Sequence, residues 1–199
     1  MLNSRKLIAW LCLVCSVVFF AIVSHPAWSH PGDLTDQVVA QNDQEIEVRA
    51  IPVRDNIYMV AGDGGNIGLS VGDEGALMID SQYAGLSETI AQTVAVINEK
   101  PIRYLINTHY HKDHTDGNQN FAKMGAIIIS HDNVPKQMGV PHEYKILGMT
   151  TEAAPTEALP KITFSDDSSF NLNDNYIHAF HLPSAHTDGD VVVHFTKKM

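Results

Sequence analysis

The stretch Thr108 to His114, with the sequence THYHKDH, is the part of this chain that most strongly indicates its fold and chemistry. It directly follows an apolar run, Ile102 to Asn107, that predicts a buried strand. Side chains alternate in extended backbone, so we expect His109, His111 and Asp113 to point the same way. His114 breaks the alternation and reaches a neighbouring position. Four potential ligands within six residues suit one or two metal ions.

The type of metal follows from the available ligand atoms. Imidazole and carboxylate ligands without sulfur favour zinc and leave iron or manganese open. A third nitrogen for a site with His109 and His111 is expected from His186, which lies in the turn PSAHTDGD between two predicted strands. Three histidines plus a water match a catalytic zinc with one open position. Tyr110 and Lys112 point away from the predicted ligands and are candidates for substrate contact.

Composition limits the classes of protein. The chain has 199 residues, is 44% hydrophobic and 18% charged, and carries a net charge of −10. These values predict one packed domain with at most a short appendage, and they exclude disorder of the whole chain. The acidic balance argues against a nucleic-acid partner, because such a surface repels phosphates. A small-molecule substrate is therefore the expected partner.

The N-terminal segment predicts export. Arg5 and Lys6 precede the apolar run Leu7 to Val23, and Ala27-Trp28-Ser29 offers small residues for cleavage after Ser29. We expect a signal peptide over 1–29, a flexible leader over 30–44 and the folded domain over 45–199. The mature protein would be periplasmic or secreted and would have no stable membrane insertion. The alternative is an uncleaved N-terminal anchor, because 17 residues nearly reach a membrane-spanning length.

Cleavage would change the chemistry of the chain. It removes both cysteines, Cys12 and Cys15, and so leaves no disulfide or thiol ligand. It also removes Arg5 and Lys6, leaving 11 basic against 23 acidic residues, a net charge of −12. Any metal in the mature chain must then be held by histidine and carboxylate side chains.

Strand and helix signals alternate along the predicted domain and indicate an α/β fold with layered sheets. Residues 46–79 predict an antiparallel meander of short strands, and Ser87 is the expected N-cap of a helix that extends towards Pro101. A short helix is expected over 118–124. The stretch 139–160 reads as a loop, with His142 in solvent.

Two motifs resemble the metallo-β-lactamase fold superfamily, in particular its exported metallo-hydrolases. The motifs are THYHKDHTDGN (108–118) and PSAHTDGD (183–190). The similarity extends through GGNIGLSVGDEGALMIDS, AIIISHDN and the strand that follows the second motif, so it covers nearly all of the predicted domain. The resemblance implies an αββα sandwich.

The resemblance also implies roles for individual residues. His109, His111 and His186 would bind a first zinc, and Asp113 and His114 would bind a second. Asp80 corresponds to an aspartate that supports the metal loop from behind the ligands. A strand-end cap is the alternative role for Asp80.

The family pattern continues beyond the strand that matches Val191 to Phe195. Family members have a further aspartate that bridges two metals and a later histidine that completes the second site, and this chain ends at Met199 without them. We therefore expect the second half of the sandwich to be incomplete, with an exposed sheet edge that invites self-association or a complementing chain. The chain would be a gene fragment, one part of a two-chain assembly, or a degenerate protein.

The predicted activity is zinc-dependent hydrolysis. Zinc lowers the pKa of a bound water from about 15.7 to about 7 and polarises a carbonyl, and Asp113 would orient the attacking water. Lactam, ester, thioester and amide bonds all suit this chemistry, so β-lactamase-like activity is one expectation. The alternatives are an iron-dependent enzyme similar to persulfide dioxygenases and an inactive, truncated metal-binding protein.

Overall fold

The computed structural model describes residues 47–145 and 148–197. The predicted signal peptide (1–29) and leader (30–44) lie outside the described residues. Among the described residues, no helix reaches the length and hydropathy that a membrane span requires.

The described residues form four α-helices, two 3-10 helices and twelve strands. The α-helices are α1 (Ser87–Ile97), α2 (Lys112–Thr115), α3 (Asn118–Lys123) and α4 (Asn133–Met138). The 3-10 helices are Ala84–Leu86 and Thr156–Ala158. The first six strands are β1 (Arg49–Arg54), β2 (Ile57–Ala61), β3 (Asn66–Ser70), β4 (Ala76–Ile79), β5 (Ile102–Ile106) and β6 (Ile127–His131). The others are β7 (His142–Tyr144), β8 (Met149–Thr151), β9 (Ile162–Phe164), β10 (Asp167–Leu172), β11 (Asn175–His181) and β12 (Val191–Lys197).

The strands form a large sheet, a small sheet and a separate hairpin. The large sheet has the order β1-β2-β3-β4-β5-β6-β9, and the small sheet has the order β10-β11-β12. The predicted meander is confirmed, because β1 to β4 pair antiparallel. From β4 onward the large sheet is parallel, so the carboxyl ends of β4, β5, β6 and β9 meet at one edge. Loops at such an edge are a common place for ligand sites in α/β folds.

Two apolar layers hold the sandwich together. One lies between the large sheet and the helices and includes Leu105, Ile90 and the fully buried Phe121. The other lies between the two sheets and includes Ile106 and Ile177. Strand β5 supplies residues to both layers because alternate side chains point to opposite faces. These layers confirm the predicted sandwich, with helix, large sheet and small sheet in succession.

Four local expectations are wrong. Asp113 is not in extended backbone, because the chain turns into the short helix α2 directly after His111. Helix α1 begins at Ser87 itself, with Leu86 as the cap and no side-chain cap bond. The predicted loop over 139–160 contains the hairpin of β7 and β8. There the His142 ring is half-buried and stacks on Tyr110, so it is not free in solvent.

Candidate metal centre

The first part of the site is the loop that leaves β5 at the carboxyl edge of the large sheet. The backbone of Thr108 is fixed on both sides: its carbonyl accepts from the amide of Val191, 2.8 Å away, and its amide donates to Asp80 Oδ1, 2.7 Å away. His109 follows and is buried, at 8% exposure. His111, half-buried, is the last extended residue before α2.

The second part is the turn between β11 and β12 in the small sheet, which carries His186. The carboxylate of Asp190 closes this turn by accepting from the amides of His186 and Thr187 and from the Thr187 hydroxyl. These hydrogen bonds outweigh the burial of the carboxyl and hold its pKa below the usual range. The backbone carbonyl of Asp190 also accepts from Leu182 and lies 3.0 Å from Nδ1 of His181. Asp190 therefore positions His186.

The two loops bring three histidines together. One ligand nitrogen from each of His109, His111 and His186 lies within 4.8 Å of the other two. His186 Nε2 and His111 Nδ1 are 3.0 Å apart. Two nitrogens on one tetrahedral zinc at 2.0–2.1 Å are about 3.3 Å apart. The donor set thus fits a zinc ion of the three-histidine type, with ligands drawn from both sheets.

The protonation state of His109 and His111 favours metal ligation. Burial and the neighbouring His114 lower the pKa of His109 to about 4, and burial and His186 lower the pKa of His111. Neutral imidazole is the form that binds metals. The Thr108 hydroxyl donates to Asp80 Oδ2 at 2.7 Å and accepts from Nδ1 of His109 at 3.1 Å. That chain of hydrogen bonds leaves Nε2 of His109 as the free lone pair.

Asp113 and His114 lie next to this trio. Asp113 Oδ2 is 3.2 Å from His114 Nε2, and Asp80 Oδ2 is 2.8 Å from His114 Nδ1. Burial disfavours the charged ring, but the hydrogen bonds and charges of Asp80 and Asp113 outweigh it and raise the pKa of His114. The pair offers two ligand atoms, and in the part of the chain that the structure describes no further histidine or carboxylate joins it in a three-residue group.

Asp80 connects the strand β4 to the metal loop. Both of its oxygens are used, on Thr108 and His114, and its backbone lies in the left-handed region at φ 69°. This conformation, which is uncommon outside glycine and the short polar residues, turns the buried carboxylate towards the loop. Its contacts therefore extend beyond the strand end, through Thr108, to the ring of His114.

Sequence reasoning missed the polar network beneath the loop. The side chain of Asn118 bonds both to Asn107 and to the carbonyl of Ala158, and it accepts from the Ser81 hydroxyl. The Ser81 hydroxyl also lies 3.1 Å from the carbonyl of His114, so its one proton is shared between that oxygen and Asn118. Asn107, Ser81 and Asn118 are all completely buried. Ser81 and Asn118 end two of the stretches that carry the family resemblance, but their residue types gave no reason to expect a buried network. Asp190 stands in the same short motif as His186 and could have been identified from that position.

Comparison with known proteins gives the same family. A family model of the metallo-beta-lactamase superfamily matches residues 60–198. Solved structures similar to this chain include the metallo-beta-lactamase FEZ-1 from Legionella gormanii, at 17% identity and a TM-score of 0.62. Others are the subclass B3 enzyme BJP-1 from Bradyrhizobium japonicum, at 21% and 0.61, and the class B3 di-zinc enzyme LRA-12 from an Alaskan soil metagenome, at 17% and 0.65.

The alignments cover most of this chain but less than two thirds of each of those structures. The alignments cover 75%, 76% and 83% of this chain, but only 58%, 58% and 64% of FEZ-1, BJP-1 and LRA-12. At these identities the structures establish a shared fold. Together with the family model, which spans well over half of the sequence, they show that this chain belongs to the metallo-beta-lactamase superfamily.

Proposed function

We propose that this chain is a zinc-dependent hydrolase that acts on a lactam, ester, thioester or amide carbonyl. The observation that carries the proposal is the convergence of three imidazoles, His109, His111 and His186, beside the carboxyl edge of the parallel strands. Membership of the superfamily supports it. The solved structures with the same fold include subclass B3 beta-lactamases, which makes a lactam the first substrate class to test.

The five proposed ligand residues would hold a first and a second metal ion. His109, His111 and His186 would hold one zinc ion, which when bound supplies Lewis acidity and a water of lowered pKa. Asp113 and His114 offer ligand atoms for a second ion. Iron or manganese would use the same nitrogen and oxygen atoms.

Side chains next to the trio would then orient the water and move its proton. The Asp113 carboxylate bonds to His114, whose ring lies 4.1 Å from that of His109, and it would orient the attacking water and accept its proton. When only the three-histidine site is filled, His114, with its raised pKa, lies between Asp113 and Asp80 and can take the proton onward or return it to the leaving group. Asp80 keeps the His114 ring in one orientation throughout.

The test is metal content and turnover of the purified chain. We expect bound zinc, hydrolysis of nitrocefin or an aryl ester, loss of turnover after chelation, and recovery on adding zinc. The double variant H109A/H111A should lose both zinc and turnover. H178A is the matched control, because His178 is also half-buried but bonds to Asp167 in the small sheet, away from the trio.

Three results would contradict the proposal. Turnover that persists after complete metal removal would exclude metal-dependent hydrolysis. Bound iron with oxygen consumption would assign the chain to oxidative chemistry. Zinc bound without turnover of lactams, esters, thioesters or amides would leave a metal-binding protein without hydrolase activity.

A further inference from the structure

Two histidines that are not among the proposed ligands form a direct contact between the two sheets. His131 is the last residue of β6 in the large sheet, and His181 is the last residue of β11 in the small sheet. Their rings lie nearly parallel, with centroids 3.7 Å apart and planes 11° apart. Because β6 runs parallel to β5, this stack joins the sheets at the same edge as the metal centre.

The ring of His131 is held firmly by the large sheet. It is buried at 5% exposure, its Nε2 lies 2.9 Å from the carbonyl oxygen of Ser165, and its Nδ1 accepts from the amide of Asn133 at 3.2 Å. A carbonyl can only accept, so the ring proton is on Nε2, and the lone pair used at Nδ1 makes the ring neutral. Rotation of the ring would break both bonds. His131 therefore presents a fixed, flat face to His181.

The His181 ring connects that face to the residue that holds the third proposed ligand. Its Nδ1 lies 3.0 Å from the carbonyl oxygen of Asp190 and must carry the ring proton, because a carbonyl has none to donate. The Asp190 carboxylate in turn accepts from the amide of His186. A continuous path of contacts thus runs from the large sheet through His181 and Asp190 to His186.

The turn between β11 and β12 is attached to the rest of the chain at its two ends and at its tip. The end that leads into β12 is fixed by the backbone, where the amide of Val191 donates to the carbonyl of Thr108 at 2.8 Å. The tip is attached to α4 by exposed hydrogen bonds to Asp188, such as that of Gln137 at 2.9 Å, and water competes with these. At the end that leaves β11, the contact with the large sheet is the stack of His181 on a buried ring.

We propose that His131 and His181 are positioning residues, which hold the start of this turn so that the third histidine faces the other two before a metal binds. The inference rests on the proposed metal site, because that site requires a particular direction of His186. It goes beyond the proposed function, since neither residue is among the five ligands. Their effect on the metal is exerted through Asp190.

The first test uses the purified full chain without metal. Labelling with ¹⁵N-histidine shows, in mildly alkaline buffer, which nitrogen of each ring carries the proton, and H131A, H181A and H186A assign three of the eleven histidines. We expect the proton on Nε2 of His131 and on Nδ1 of His181. A proton on Nε2 of His181 would overturn the proposal, because Nδ1 could not then donate to Asp190.

Two substitutions of His181 separate its two contacts. H181F keeps a flat ring against His131 but has no donor for the Asp190 carbonyl, whereas H181N keeps a side-chain donor and has no ring. Because the path needs both contacts, each variant should shift the ring signals of His186 in the metal-free chain. Each should also weaken zinc binding at least about tenfold in competition with a chromophoric chelator. Either variant refutes the proposal if it leaves the His186 signals, or the zinc affinity of a metal-binding chain, unchanged.

The variant H131A tests the other half of the stack. It should weaken zinc binding about as much as H181A does, and H131A/H181A should be no worse than the single variants, because both residues act through one contact. Losses that add would show two independent effects and contradict the proposal. Urea unfolding in excess chelator shows whether each variant is folded, and if H131A is not, H181F and H181N decide the question.

H178A and Q137A are the matched controls. His178 lies in the same strand as His181, is half-buried and bonds to Asp167, and Gln137 makes its exposed bond at the tip of the turn. Both variants should bind zinc within about twofold of the wild type. A loss in Q137A as large as in H181F would show that the stack is not what positions the turn.

The outcomes separate this inference from the hydrolase function. A wild-type chain that binds no zinc would contradict the proposed hydrolase. In that chain, shifted His186 signals in H181F and H181N would still support the positioning pair, and unshifted signals would overturn it.

Discussion

Asn118 offers the sharpest test of how the metal loop is supported. The variant N118A deletes four hydrogen bonds from a fully buried side chain. In the variant, the Ser81 hydroxyl can still donate to the carbonyl of His114, 3.1 Å away. The side-chain amide of Asn107 can still donate to the same carbonyl, 3.4 Å away. The side-chain oxygen of Asn107 and the carbonyl of Ala158 lose the donor that Asn118 supplied to each.

The size of the effect follows from those two acceptors. Each buried group left without a partner costs about 1–3 kcal/mol, so N118A should lower the free energy of unfolding by about 2–6 kcal/mol. With an m value of about 2 kcal/mol/M, the urea midpoint should fall by about 1–3 M. Unfolding is measured in excess chelator, because bound metal adds its own stabilisation to the folded state.

A neighbouring residue provides the control. Gln119 is the next residue of α3 and is half-buried, and within the described residues its side chain makes no recorded hydrogen bond. Q119A should therefore change the free energy of unfolding by about 0.5 kcal/mol or less. If N118A cost no more than Q119A and left zinc affinity unchanged, the buried network would not be what supports the loop.

Three further variants test other contacts of the site. D80A should weaken zinc binding about 10–100-fold in competition with a chromophoric chelator, since partners of ligating histidines contribute that much; wild-type affinity would show that Asp80 is only a strand-end cap. D190A should likewise reduce zinc affinity at least about tenfold, because the turn that carries the third histidine loses three hydrogen bonds to the carboxylate; an unchanged cobalt(II) absorption spectrum would refute the positioning role. G117A should lower the free energy of unfolding by about 1–3 kcal/mol, because an added Cβ would lie 2.5 Å from the Ser81 carbonyl oxygen. G85A, where nothing lies within 4 Å, is its control, and equal thermal midpoints for the two variants would contradict the steric argument.

The large sheet could be predicted because its strands carry strong local signals. Ala76–Ile79 and Ile102–Ile106 are apolar runs bounded by turns or polar residues, and both are strands as expected. The hairpin of β7 and β8 could not be predicted, because HEY and MTT are short and carry polar residues. Its stability comes from contacts distant in sequence, such as the stacking of His142 on Tyr110.

The convergence of the three histidines could be predicted, whereas the shape of the loop could not. Clustered histidines identify themselves by residue type, and the structure brings His109, His111 and His186 together. The extended geometry expected for Asp113 was wrong because Thr115 donates its hydroxyl back to the carbonyls of Tyr110 and His111 and closes a helical turn. Such side-chain bonds to local carbonyls compete with extended backbone and are not visible in an alternating pattern.

The position of the trio explains why so much buried polar structure surrounds it. Two of its histidines lie in the loop that follows β5 of the large sheet, and one lies in the turn between β11 and β12 of the small sheet. The backbone hydrogen bond between Thr108 and Val191 joins these two segments directly. Apolar packing between the sheets fixes their separation but does not fix the direction of any nitrogen. That direction comes from the carboxylates of Asp80 on one side and Asp190 on the other. Each carboxylate accepts hydrogen bonds from groups of one loop and so orients that loop. A metal bound by the trio therefore draws on the packing of both sheets, and loosening either carboxylate should be detected in metal affinity before it is detected in the fold.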